Sequence, residues 1–200
     1  MEHQISIKQI LVDLIGIIPQ INNEFGSNEK YAQLLTFLNA KDYFNDDDLA
    51  YPTLKQIEEE TGIKTYHLRK QLKEIYDKLF DYDYDFNFDF SQTKLIINVE
   101  YFKRYASFNC KPLKYLPKIG ENITLHFLRA KVGTDYFYVQ DIRHSFIENK
   151  QIIDLYLKSG YYNSYWYYRK HKALEEGEIG IGEQYDLYEY QMKERLGLRW

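Results

Sequence analysis

The sequence predicts an α+β fold, and three features carry that reading. Apolar residues recur with helical spacing through most of the chain before Asp81. Alternation with period two takes over between Asp81 and Val99, and again between Asn122 and Val139. With 200 residues, 44% of them apolar and 28% charged, the chain has enough apolar surface for a core and fits one or two domains. Ten glycines and four prolines exclude collagen-like, low-complexity and wholly disordered chains.

The first element is a helix over Ile5–Ile21, broken or ended at Pro19. Its apolar run is interrupted by Asp13 and falls short of the ~20 residues that span a bilayer. The leading Met1-Glu2-His3-Gln4 lacks the basic start of a signal peptide, and no small-residue cleavage site follows. A packed or dimer-forming helix is expected, in a soluble cytoplasmic protein with no membrane partner. The single cysteine, Cys110, cannot form an internal disulfide, which fits a reducing compartment. A connection over residues 22–28 leads to a second helix, marked by Tyr31, Leu34, Leu35, Phe37 and Leu38. The acidic Asn45–Asp48 loop that follows lacks the glycine and distal glutamate of a calcium loop, so a solvated loop is expected.

The segment from Pro52 to Phe80 is the most informative. Thr53 and Gln56 are spaced as a capping box opening a short helix over 54–60. Gly62 permits a tight turn, and a longer helix runs from about Thr65 to Phe80 with Leu68, Leu72, Ile75 and Leu79 on one stripe. Leu34, Leu38, Ile57 and Ile63 complete the expected core with Leu68, Leu72 and Ile75. A short helix, a glycine turn and a longer helix with this spacing resemble the helix-turn-helix of bacterial winged-helix regulators. The resemblance extends over about residues 30–100, centred on 53–80. Two departures stand out: Glu58 occupies a position where the family favours a small residue, and no glycine ends the second helix at Leu79-Phe80-Asp81.

Beyond it, aromatics at Tyr82, Tyr84, Phe86, Phe88 and Phe90 alternate with acidic or amide residues. This reads as a strand turning at Ser91–Lys94 and returning through Leu95–Val99, a hairpin in the position of a wing. Its outward row of aspartates would repel phosphate, so a solubilising face is expected. Pro112 and Pro117 punctuate a linker or domain edge near 105–120. Strands at Asn122–Arg129 and Tyr136–Val139, joined through Val132–Asp135, come next. Residues 148–159 read as a helix with Ile152, Ile153, Leu155, Tyr156 and Leu157 on its apolar face. A further helix capped by Asn163 or Ser164 runs to Leu174 and stops at Gly177. Residues 148–182 fit either a second, degenerate winged-helix unit or a helical hairpin under the strands. Residues 183–200 suit a last amphipathic helix. The resulting division is an N-terminal helix at 1–28, a winged helix-turn-helix domain at 29–104 and a basic, aromatic-rich α+β region at 105–200.

Net charge is −4, but its distribution is uneven. Residues 1–50 carry 3 Lys or Arg against 8 acids, and residues 81–100 carry 1 against 5. Residues 103–172 carry 13 against 5, so the local balance there suits a phosphate backbone. The stretch Tyr161–Lys172 sets aromatics beside cations, a composition that suits stacked bases and neutralised phosphates.

No chemistry of catalysis emerges. Gly177, Gly180 and Gly182 have no following Lys-Ser/Thr, and histidines 3, 67, 126, 144 and 171 are scattered without a zinc motif. Cys110 has no identifiable base. A non-enzymatic protein without cofactor or metal is expected. The resemblance implies a DNA-binding transcriptional regulator with Lys64, Thr65, Tyr66, His67 and Lys70 touching bases or phosphate, and Arg69 and Lys73 on phosphate. Arg169, Lys170 and Lys172 form a further candidate phosphate surface. Double-stranded DNA and a second copy of the chain are the expected partners. The alternatives are a plasmid or phage replication initiator with tandem winged helices, and a non-catalytic protein-interaction module that reuses the fold.

Overall fold

The helical period of the first half is realised as α1 (Ile7–Ile15), α2 (Ile18–Phe25), α3 (Ala32–Asn39), α4 (Leu54–Thr61) and α5 (Thr65–Leu79) in a computed structural model that describes residues 5–198. The Met1–Gln4 segment with His3, and residues 199–200, lie outside the described residues. Pro19 does not end the first helix. The break falls at Gly16-Ile17, and Pro19 occupies the first turn of α2, where its missing N–H costs no hydrogen bond.

The chain falls into two compact units. One comprises the chain up to Ile96 with Asn109–Pro112 and Arg143–Asp154; the other comprises Ile97–Phe108, Leu113–Ile142 and the chain from Leu155 onward. In the first unit α1 and α4 both pack on α5. Its core is built from Ile10, Leu11, Leu14, Leu34, Leu38, Ile57, Leu68, Leu72 and Ile75, with Ile63 partly buried against them. Every residue of the expected core therefore packs in it. The apolar face of α1 is engaged in this core, so the dimer-forming alternative for that helix meets a face already covered.

The strands differ from the expectation. Residues 81–91 form no strand; the hairpin consists of β1 (Gln92–Tyr101) and β2 (Arg104–Cys110), turning at Phe102-Lys103. Tyr84, Phe86 and Phe88 direct their rings against the helical core instead, which fixes the segment by packing rather than by a ladder. Strand β2 thus occupies the first third of the expected linker. β3 (Asn122–Thr124) is shorter than expected, giving way to a 3-10 turn at His126–Leu128 and to α6 (Arg129–Val132). It pairs antiparallel with β4 (Tyr136–Ile147), Asn122 opposite Tyr138.

Residues 148–159 are not a helix. They form the turn Glu148-Asn149 and β5 (Lys150–Ser159), whose Leu155 and Leu157 alternate into the interior. A short apolar run fits either period, and the turn, with Glu148 at φ +56°, returns the chain along β4. Residues 148–182 therefore contain no second helix-turn-helix. The mixed sheet has the order β2-β1-β5-β4-β3. The expected helix beyond Asn163 is present as α7 (Ser164–Glu175), with the Trp166 N–H donating to Asn163 Oδ1 at 3.0 Å. The tail divides into α8 (Ile181–Asp186) and α9 (Glu189–Arg195), and Met192 and Leu196 join Trp166, Ala173 and Ile179 in a small core. No helix among the described residues is long and apolar enough to cross a membrane.

Candidate nucleic-acid interface

The turn between α4 and α5 is fixed by three local devices. Thr53 Oγ1 accepts the Gln56 N–H while Gln56 Oε1 accepts the Thr53 N–H at 2.8 Å, the reciprocal cap that the sequence spacing anticipates. Gly62 takes φ +74°, a left-handed conformation open to glycine without a Cβ penalty, and its N–H donates to Glu58 O at 2.9 Å. Glu58 supplies the third. Its Oε2 accepts both the backbone N–H and the hydroxyl of Thr65, the first residue of α5. A carboxylate at that end also complements the helix dipole. The Glu58 side chain is thus a cap reaching across the turn.

Hydrogen bonds from the Thr65 side chain and backbone hold the Glu58 carboxyl below the ordinary carboxylate range, with Lys64 adding to the effect. A depressed carboxyl contributes stability that is complete above its unfolded value and is lost as pH falls through the folded one. Thr65→Val removes the hydroxyl donor that contributes most, so the Glu58 midpoint should rise toward the ordinary value in a carboxyl NMR titration. An unmoved midpoint would show that Thr65 does not hold this carboxylate.

The same geometry sorts the expected DNA-contacting residues. Lys64 Nζ lies 3.5 Å from Glu58 Oε1, and Thr65 is engaged by Glu58, so both serve the turn. Leu68, Leu72, Ile75 and Leu79 are buried. On the other side, Tyr66 is 73% exposed, and Arg69, Lys70 and Lys73 are exposed on the same helical face. His67 is exposed too, its ring edge-on to Tyr66 at 5.5 Å. None of Arg69, Lys70 and Lys73 has a carboxylate in ion-pair range among the described residues. Further along, the surface becomes mixed: Glu74 pairs with Lys30 and Lys78, and Asp77 and Asp81 share a shallow groove with Lys70 and Lys73.

The cations of α7 are placed differently. Arg169 forms a two-point ion pair with Glu178, at 3.0 and 2.6 Å. Lys170 is half-buried, and desolvation pushes its ammonium below the ordinary lysine value. Lys172 lies 3.6 Å from Glu176 one helical turn on. The neighbouring aromatics build the interior of the second unit. Trp166 is buried, Tyr162 stacks on Tyr167 at 5.0 Å, and the Tyr167 and Tyr138 hydroxyls meet at 2.9 Å. These rings line a cavity of about 490 Å³ together with Glu189, whose carboxylate is held between Lys158 at 2.6 Å and Lys193 at 2.7 Å.

Two elements escaped the sequence reading. Glu58 was legible only as a departure, since its partner lies across a turn. The hairpin turn carrying Lys103 and Arg104 was hidden by the stronger alternation of residues 81–90. No group of three or more His, Cys, Asp or Glu among the described residues is arranged to hold a metal ion. No protein-family model, curated protein or solved structure matches the chain.

Proposed function

We propose that this protein is a DNA-binding regulator of winged helix-turn-helix type that engages duplex DNA through the exposed face of α5. The observation carrying the proposal is the set Arg69, Lys70 and Lys73, without an ion-pair partner among the described residues, on one face of the second helix of a tightly turned pair, with Tyr66 beside them. Cations free of internal carboxylates release counterions from DNA most effectively. The chain order also supports the reading, since α5 is followed by the β1–β2 hairpin, in the place where a wing would stand. The tandem-unit initiator reading has lost its second helix pair to β5.

Replacing Arg69, Lys70 and Lys73 together with glutamine tests this. Affinity for a random duplex should fall, and the slope of log K against log salt should become shallower by about 2.7, at about 0.9 for each phosphate no longer neutralised. The melting temperature should stay near that of the parent, because none of the three lies on the buried stripe. The Arg169, Lys170, Lys172 glutamine variant serves as the control: it should melt lower and keep the parent's salt slope. Absence of duplex binding at low salt would sink the proposal. A protein-interaction module is the second reading. It is favoured by the Glu58 carboxylate at the N-terminal end of α5 and by the exposed Asp81, Asp83 and Asp85 beyond its other end.

A further inference from the structure

We propose that the second unit carries a surface for single-stranded nucleic acid, formed where the β1–β2 turn meets the 3-10 turn and α6. Phe102 sits in the hairpin turn, 78% exposed, with a left-handed φ of +51°. Glycine or asparagine adopts that conformation readily, and a bulky side chain does not. The ring is left largely in solvent despite that strain, and strained residues of this kind cluster at binding sites. The Phe102 ring stands edge-on to Tyr101, with centroids 4.7 Å apart.

The turn and α6 share one patch. A Cβ on Gly133, which caps α6, would lie 3.4 Å from the Tyr101 ring and 3.0 Å from Arg104 Nη1. Phe127, on the 3-10 turn, is 68% exposed and meets the Phe108 ring of β2 at a steep angle, with centroids 5.6 Å apart. Arg129 and Lys131 are exposed on α6. From Tyr101 to Gly133 the chain has seven Lys or Arg and one acid, Glu121. Lys103, Arg104, Arg129 and Lys131 have no carboxylate in ion-pair range among the described residues; the acid near Arg129 is Asp135, which feels its charge and is hydrogen-bonded to His126 at 3.1 Å.

Exposed rings among unpaired cations recognise unstacked bases on a phosphate chain. A duplex hides its base faces, so Phe102 and Phe127 favour a single strand over the duplex assigned to α5. This surface lies in a different unit from α5 and does not depend on the duplex reading.

The test uses the full chain, with fluorescence anisotropy of labelled oligothymidine and of a random duplex of equal length across a salt series. Phe102→Asn relieves the strained backbone and removes the ring. It should melt higher than the parent yet bind oligothymidine about tenfold more weakly, an opposition that a purely structural role does not produce. Phe127→Ala should weaken oligothymidine binding with the salt slope unchanged, and the Arg129, Lys131 glutamine pair should make the slope shallower. The Arg69, Lys70, Lys73 glutamine variant should lose duplex affinity and keep oligothymidine affinity, so the two proposals fail separately. The inference is overturned if oligothymidine is not bound at low salt, or if Phe102→Asn keeps full affinity. It is equally overturned if the α5 variant abolishes oligothymidine binding, or if polyglutamate of matched length binds as well.

Discussion

Replacing Leu72 with aspartate should unfold the helical unit. Leu72 is fully buried on the α5 stripe, in a core shared with Ile57, Leu68 and Ile75. The substitution removes the transfer free energy of a leucine and buries a carboxylate with no partner, a loss of about 4 kcal/mol or more. That is comparable to the whole stability of many domains of this size. Circular dichroism at 25 °C should show lost helix, and the cooperative transition should shift far down or vanish. Leu72→Met keeps the volume and should cost less than about 1.5 kcal/mol. Burial raises the pKa of the introduced carboxyl in the folded state. Folding then takes up protons, so the variant should regain stability as pH falls and lose it as pH rises through that raised value. A Leu72→Asp protein with the parent's melting temperature would show that α5 is packed in a different register.

Gln20→Ala should be the next most damaging change. Gln20 is a buried polar residue of the first unit, 2% exposed on α2. Its amide nitrogen donates to Asp89 O and, at 2.9 Å, to Glu148 O, while its Oε1 accepts the Asp89 N–H at 3.1 Å. One side chain therefore fixes two segments that lack ladder bonds to the helices: the extended stretch after α5 and the turn between β4 and β5. The Glu148 N–H also reaches Gly16 O at 2.8 Å, which anchors the same turn from the α1–α2 junction. Truncation leaves a cavity and partly buried backbone groups without partners, at about 2–3 kcal/mol. Hydrogen exchange should quicken at Asp89 before it quickens in α5. Gln20→Leu, which restores volume without hydrogen bonds, should recover little of the loss; full recovery would show that the residue acts by packing alone.

How far the fold was legible depended on whether the partner of each residue was local. The capping box at Thr53–Gln56, the glycine turn and the Leu68–Leu72–Ile75–Leu79 stripe were readable because each depends on residues within a few positions. The Asn163 cap of α7 was readable for the same reason. Residues 81–90 misled because alternation records which side chains can be buried, not which backbone they pair with. Their rings found the helical core, and the ladder formed downstream. The stretch 148–159 misled because a run of Ile and Leu satisfies both periods, and only the return along β4 selects the strand.

Candidate DNA-binding residues divided along the same line. Composition alone located the excess of cations between residues 103 and 172. It could not say which of them face solvent unpaired, because pairing is a matter of three-dimensional neighbours. The sequence by itself determined the α+β class, the helix pair 54–79 and its buried stripe, since helix propensity, capping and amphipathic spacing act over one or two turns. Tertiary structure decided the rest: which strand follows α5, that Glu58 caps Thr65, that Arg169 pairs with Glu178, and that no carboxylate among the described residues pairs with Arg69, Lys70 or Lys73. Each of those outcomes turns on groups distant in sequence competing for the same hydrogen bond, charge or apolar surface, a competition settled only when the chain is folded.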